Sequence, residues 1–159
     1  MEYFPVFLKG SSLKVLIVGA GEVGARKLEL ILKSTSNITI VAPWVCDTVK
    51  NLATQHNLEL AQRKFVEDDL NDKNIVFVAT DSEDTNREIH RLATERNQLV
   101  NVVDNTPLCE FITPSIVDRS PLIIAMSSGG VAPVVLRYMR QKLESLITAN
   151  LARLCSFGS

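Results

Sequence analysis

Residues 13–32 read LKVLIVGAGEVGARKLELIL, and the fold turns on how they are understood. The run at 14–18, KVLIV, is short, continuous and rich in β-branched side chains, the pattern of a parallel strand buried on both faces. Beyond it Leu28, Ile31 and Leu32 recur at i, i+3 and i+4, one face of an amphipathic helix. Between strand and helix, Gly19, Gly21 and Gly24 have the GxGxxG spacing. In a dinucleotide site each glycine has a task. Gly19 permits the tight turn, Gly21 lets backbone approach a pyrophosphate, and Gly24 allows helix and strand to pack closely. The helix N-terminus, at Glu22 and Val23, then supplies N–H groups and a favourable dipole for the anion. The spacing alone also suits a turn that serves packing and nothing else. A strand before it, a helix after it and an alternating chain around it are the context of a nucleotide site.

That alternation continues. ITIVAP (38–43) is a second strand, expected to stop at Pro43, and Asp47 is a candidate cap for a helix carrying Val49, Leu52, Ala53 and His56 on one face. LELAQ (58–62) alternates like a half-buried strand, and NIVFVAT (74–80) is another continuous apolar run. A helix through Ile89, Leu92 and Ala93 follows, capped by Asp81 or Ser82, and QLVNVVD (98–104) is a strand closed by Asp104. The order predicts a Rossmann-like, doubly wound parallel sheet. Near residue 110 the rhythm changes. FITPSIV and PLIIAMSS flank Asp118, Arg119 and Ser120 and read as a β-hairpin. GGVAP then leads into a helix with Leu136, Met139, Leu143, Leu146 and Ile147 assigned to one side. The chain thus divides into a nucleotide-binding domain, 1–110, and a hairpin–helix appendage, 111–159. The appendage is too small to own a core, so its apolar faces predict a homodimer.

Composition narrows the classes. With 159 residues, 46% hydrophobic, 22% charged and a formal net charge of −1, the chain has no global basic field for nucleic acid or an anionic membrane. No apolar run approaches the ~20 residues that span a bilayer, and the N-terminus lacks the pattern of a signal peptide. Cys46, Cys109 and Cys155 are scattered and odd in number, which reads as reduced thiols in a cytoplasmic protein with no metal cage. His56 and His90 read as structural. Tyr138 and Lys142 match the YxxxK pair of short-chain dehydrogenases, but the glycine spacing and chain length do not, and an exposed helix face accounts for them.

Three further features bear on chemistry. The second strand ends at Val41, Ala42, Pro43 and Trp44, without a carboxylate for an adenosine ribose or an arginine for a 2′-phosphate. Backbone near Pro43 and Trp44 is left to make the ribose contact, and NAD is preferred over NADP; Trp44 could equally be a packing residue. Asp104 stands at a strand's carboxyl end, where ligands of open α/β sheets gather, and is either a general base or a turn residue. Ser127, Ser128, Gly129 and Gly130 precede Pro133, a good first helical residue, and are either an anion nest or a cap.

Taken together, YFPVFLKG, LIVGAGEVGARK, ITIVAP, FVATD, NVVDNTPLCEFITPSIVDRSPLIIAMSSGG and APVVLRYMRQKLE resemble, in order from about residue 3 to 147, the precorrin-2 dehydrogenase module of sirohaem synthases. The block from Asn101 to Gly130 is the specific part, since generic cofactor domains have no reason to carry it. The resemblance implies NAD-dependent oxidation of precorrin-2 to sirohydrochlorin. Members that also insert ferrous iron and members that do not are both covered. It implies Asp104 as the catalytic residue. Gly19, Gly21, Glu22, Val23, Gly24, Pro43, Trp44 and Thr80 would contact the cofactor, and Asn101, Thr113, Ser127, Ser128 and Gly129 the substrate. Arg119 or Arg137 is a candidate partner for substrate carboxylates. It also implies dimerisation through the hairpin–helix region. Family members commonly continue into a further helical region, whereas this chain stops at LARLCSFGS (151–159). The competing class is a non-catalytic NAD-sensing domain, which would need the glycine turn but not Asp104 or Ser128.

Overall fold

The computed structural model describes residues 1–147. The chain forms two compact units, one spanning Pro5–Phe111 and one joining Met1–Phe4 to the chain from Ile112 onward.

In the first unit, β1 (Val15–Ala20), β2 (Ile38–Val45), β3 (Glu59–Ala61), β4 (Ile75–Val78) and β5 (Leu99–Val102) form one parallel sheet in the order β3-β2-β1-β4-β5. Helices α1 (Glu22–Leu32), α2 (Asp47–Gln55) and α3 (Glu83–Glu95) connect them. Every residue of β1 and β4 is buried, as their unbroken apolar runs require. Successive side chains of β1 serve opposite faces. Val15 and Ile17 pack with Leu28 and Ile31 of α1 and Val49 of α2, while Leu16 and Val18 pack with Ile89 and Leu92 of α3. Each such fully buried side chain contributes about 2 kcal/mol. The strand order reverses between β1 and β4, so the crevice at their carboxyl ends is the topological switch point of the sheet.

The end of β2 and the start of α2 differ from the sequence reading. First, β2 does not stop at Pro43. The β1–β2 register jumps from Val18↔Val41 to Ala20↔Val45, so residues 42–44 form a bulge. A proline in a bulge removes no ladder bond, and the strand resumes beyond it. Second, α2 is capped from Cys46, with Asp47 inside its first turn, where the carboxylate favours the helix dipole. In α3 Ser82 is the cap, its Oγ accepting from the Thr85 N–H at 3.3 Å, which contributes about 1 kcal/mol.

In the second unit β6 (Ser115–Arg119) and β7 (Leu122–Met126) form an antiparallel hairpin, followed by α4 (Pro133–Leu146). The hairpin starts later than predicted, after Pro114, and takes Asp118 and Arg119 into β6. The connection is Ser120–Pro121, whose peptide bond is cis. Asp118 Oδ1 accepts from the Ser120 N–H and hydroxyl at 3.0 and 2.8 Å. Among the apolar residues of α4, Leu136 and Leu143 are half-buried, while Val134, Val135, Tyr138, Met139 and Leu146 are exposed. Leu136, Met139, Leu143 and Leu146 lie on one side of α4, as expected, but that side is half-buried at Leu136 and Leu143 and exposed at Met139 and Leu146; Ile147, just beyond the helix, is buried. Among the described residues no helix is long and apolar enough to cross a membrane.

Candidate functional site

The glycine turn lies at the switch point. Gly19 has φ +102°, and a Cβ there would collide with the Ala79 carbonyl oxygen at the end of β4. A Cβ on Gly24 would collide with the carbonyl oxygen of Gly19. These two glycines are therefore demanded by the protein's own packing. Gly21 is different. A Cβ there would meet only the Trp44 ring, at 4.0 Å, an ordinary contact. Nothing in the chain's own packing demands a glycine at 21, so the bare backbone leaves a cradle that a side chain would fill. Gly21 is also the N-cap of α1 and offers no side-chain cap, so the first-turn amides at Glu22, Val23 and Gly24 face this cradle without an intrahelical acceptor. The helix N-terminus gives it the polarity to hold an anion such as a pyrophosphate.

The bulge in β2 forms the next wall. It turns Pro43 and Trp44 outward, and Trp44 is 66% exposed beside Gly21. That exposure excludes a plain packing role within the chain. Thr80, at the end of β4, donates from its hydroxyl to Asn86 Oδ1 at 2.6 Å, and the Asn86 amide returns a bond to the Thr80 carbonyl at 3.1 Å. Asn86, one turn into α3, holds the β4–α3 loop. The sequence reading missed it, because an asparagine in a helix gives no signal of a partner six residues back.

Asp104 lies just beyond β5, in a turn closed by the Asn105 N–H on the Val102 carbonyl at 3.2 Å. It does not end the strand. It occupies the third position of the turn at φ +59°, a left-handed conformation that glycine and asparagine adopt most easily. Its side chain is exposed. Asn101 is buried, 6% exposed, and its amide donates to the Phe111 carbonyl at 2.8 Å. Cys109 lies beneath the turn, with Sγ 3.1 Å from the Val102 carbonyl oxygen and 3.3 Å from that of Asn105. Burial pushes the Cys109 thiol up, keeping it a protonated donor. Lys27 of α1, its ammonium 5.7 Å from the Phe77 ring centroid, is pushed down by burial, against the opposing pull of the Asp104 carboxylate. Phe77 in turn meets Phe111 edge-on, with ring centroids 5.3 Å apart. Neither Lys27 nor Cys109 stood out in the sequence, where one reads as a helix-surface charge and the other as a quiet thiol.

In the second unit, Ser127 Oγ accepts from the Gly129 N–H and Ser128 Oγ from the Ala132 N–H, both at 3.0 Å. The hydroxyls thus satisfy part of the amide nest themselves. Gly129 has φ +62°, and a Cβ on it would lie 3.6 Å from a Glu2 carboxylate oxygen and 3.7 Å from the Tyr3 ring. Thr113 is half-buried ahead of β6. Arg119 is not available to a substrate carboxylate. Its Nε donates to the Ile147 carbonyl at 3.2 Å and its Nη2 to the Glu144 carbonyl at 3.4 Å, capping the end of α4. Arg137 is exposed. Among the described residues no group of three His, Cys, Asp or Glu side chains stands together to hold a metal ion.

A family described as "Putative NAD(P)-binding" matches residues 6–115, from ahead of β1 through the Asp104 turn. The chain belongs to this NAD(P)-binding family. Its fold also matches a solved structure of SirC, precorrin-2 dehydrogenase, with a TM-score of 0.79 over 98% of this chain and 76% of that one, at 23% identity. At that identity the match speaks for the fold. Among curated relatives, the siroheme synthase of Pseudoalteromonas atlantica is 60% identical over 158 residues, and that of Thioalkalivibrio sulfidiphilus 42% identical over 156. These alignments take in 99% and 98% of this chain but only 34% and 32% of the relatives. The chain therefore spans about a third of the length of the curated relatives it matches. Its glycine turn fits what the NAD(P)-binding family requires: two glycines fixed by packing and a third left open to a ligand.

Proposed function

We propose that this chain oxidises precorrin-2 to sirohydrochlorin with NAD as acceptor, in the cytoplasm. The observation that carries the reading is the pairing, on the carboxyl side of one parallel sheet, of the open Gly21 cradle with the exposed Asp104 turn. A nucleotide-sensing domain needs the first and has no use for the second. The relatives named siroheme synthase and the fold neighbour named precorrin-2 dehydrogenase supply the substrate.

The residues divide the work as follows. The amides at Glu22 and Val23 hold the pyrophosphate over Gly21. Pro43 and Trp44 bound the adenosine ribose, with no arginine for a 2′-phosphate, and Thr80 lines the other side. When bound, the dinucleotide supplies the hydride acceptor. Asp104 takes the proton that leaves a ring carbon of the tetrapyrrole as its hydride departs, the role of a general base. Within the second unit, Ser128 and Gly129 offer hydroxyl and N–H groups, and Thr113 a further hydroxyl, of the kind that bind carboxylates. Asn101 acts through the Asp104 turn. The exposed side chains of α4 form the contact of a homodimer.

The test is to mix the protein with NAD and precorrin-2 and follow NADH absorbance together with the product's visible band. One NADH per sirohydrochlorin is the expected result. NAD binding without any oxidation would refute the reading in favour of a sensor. The Asp104 carboxylate has the chemistry to remove pyrrole protons too, so ferrous iron, as a substrate, is the second arm of the assay.

A further inference from the structure

Asp104 presents a problem in backbone energetics. A non-glycine residue at φ +59° is uncommon, and the conformation persists where its surroundings hold it there. The turn bond from Asn105 to Val102 closes the loop but does not choose the hand of the residue inside it. Around this turn the chain builds a second set of bonds. The Glu110 N–H donates to the Val100 carbonyl at 2.8 Å, and Asn101 bridges to Cys109 in antiparallel fashion, so residues 109–111 run back along the edge of β5. This return brings Cys109 Sγ beneath the turn. Its single S–H is shared between the carbonyls of Val102 and Asn105, one on each side of Asp104. The buried Asn101 amide stands 3.5 Å from the sulfur as a donor and fixes Phe111 at the far end of the returning segment. The Cys109 N–H is bound separately, to the Thr106 carbonyl at 3.1 Å, so the thiol is the group of that residue that spans the turn.

We propose that Cys109 is a positioning residue for Asp104, its thiol tying together the two carbonyls that flank the aspartate and so fixing the direction in which the carboxylate leaves the turn. Asn101 supports it by orienting the sulfur. The inference rests on the reading of Asp104 as the base, and it explains why a half-buried thiol with no metal and no disulfide partner among the described residues lies within the specific block of the sequence. A hydroxyl shares the donor geometry of the thiol, whereas a methyl group does not.

The experiment compares Cys109→Ala, Cys109→Ser, Asp104→Asn and the Cys109→Ala/Asp104→Asn double variant in the full chain, with NAD and precorrin-2. A misdirected base loses turnover while binding persists. Cys109→Ala is therefore expected to lose kcat by on the order of tenfold to a hundredfold, with NAD affinity and substrate KM near wild type. Cys109→Ser should recover most of the loss. In the Asp104→Asn background the alanine substitution should cost nothing further, because it acts only through the carboxylate. Hydrogen exchange at the Asn105 amide reads the turn without reference to activity and should speed up in Cys109→Ala but not in Cys109→Ser. Wild-type kcat in Cys109→Ala, with Asp104→Asn inactive, overturns the positioning role and leaves the base standing. Losses that add in the double variant, or that fall equally on NAD affinity, reduce Cys109 to a packing residue. Wild-type turnover by Asp104→Asn overturns the base and the proposal together, and the exchange data then show whether the thiol still closes the turn.

Discussion

The indole of Trp44 stands beside Gly21 at the one point in the glycine turn where a side chain would fit, with its ring carbon Cζ3 4.0 Å from where a Cβ would be. The other two glycines have no such room. The three positions of one motif are thus separable by experiment. Gly19→Ala and Gly24→Ala push carbon into the carbonyl oxygens of Ala79 and Gly19 and should destabilise the fold by about 1–3 kcal/mol. Gly21→Ala should leave the thermal midpoint near wild type yet weaken NAD by about tenfold or more, roughly 1.4 kcal/mol. Thermal unfolding with and without NAD separates the two effects. A Gly21→Ala protein that binds NAD normally would return the motif to a packing turn.

Trp44 is the only tryptophan in the chain, so fluorescence reports on this wall of the cradle alone. NAD is expected to change the emission in a saturable way, and Trp44→Phe to abolish the signal. Titration with NADP should give the weaker dissociation constant, since neither Pro43 nor Trp44 carries a charge for the additional phosphate. Tighter NADP binding would contradict the assignment of the β2 bulge as the ribose contact.

The parts of the fold that were legible in the sequence are those in which burial dictates residue type. KVLIV and NIVFVAT could hardly be anything but strands covered on both faces, and β1 and β4 are buried along their whole length. What escaped reading depended on partners distant along the chain. Pro43 looked like the end of β2 because nothing local reveals a bulge whose partner is the Val18–Ala20 stretch. Arg119 looked like a ligand for carboxylates because only the folded unit brings the end of α4 to it. Met139 and Leu143 do share one side of α4, but periodicity does not tell which part of that side the unit itself covers, and Leu143 is half-buried where Met139 is exposed. At the site, Asp104 was visible by its place at a strand end, but its left-handed backbone and the thiol beneath it were not.

The split of α4 sets the test of assembly. Leu143 is half-buried, so a charge there would disturb the unit itself, whereas Met139 is 46% exposed and Val135 55%. Met139→Asp or Val135→Asp should therefore keep the secondary structure and convert a homodimer into monomers in light scattering. A wild-type chain that is monomeric at micromolar concentration would end the dimer proposal.

Acid stability should depend on a site far from the chemistry. Arg63 grips Asp69 with two bonds, Nη2 to Oδ1 at 2.6 Å and Nη1 to Oδ2 at 2.8 Å, and the Val66 N–H adds a third at 2.9 Å. The guanidinium, before any other cause, holds the Asp69 carboxyl below the usual carboxylate range. A carboxyl whose pKa is lower folded than unfolded contributes stability above its unfolded pKa and loses it as pH falls through the folded value. Asp69→Asn should therefore be less stable than wild type at neutral pH, and the gap should close below about pH 4. Urea midpoints measured across that window check the sign. A gap that is constant with pH would mean the pair is not ionic in effect.

The variant that bears most on function is Asp104→Asn. Asparagine tolerates the left-handed turn position at least as well as aspartate, so the backbone at φ +59° and the bonds around it should persist. NAD binding, which rests on the glycine turn rather than on a carboxylate at 104, should be unchanged in the Trp44 signal. Turnover of precorrin-2 should fall by roughly a hundred- to ten-thousand-fold, the range for removing a general acid or base. Any ferrous iron insertion should fall with it if one carboxylate takes protons in both reactions. The control is Asp81→Asn, also just past a strand end and exposed, where Ser82 rather than Asp81 caps the helix. It should leave turnover within about twofold and stability within roughly 0.5 kcal/mol. Equal losses in the two variants would mean that charge along the strand ends, and not a base at one place, supports the reaction. Loss of iron insertion alone would confine Asp104 to pyrrole protons and send the search for the redox base elsewhere. The group needed is one able to accept a proton from carbon, and Lys27, partly buried on α1 with its pKa pushed down by that burial, would then be the first side chain to replace.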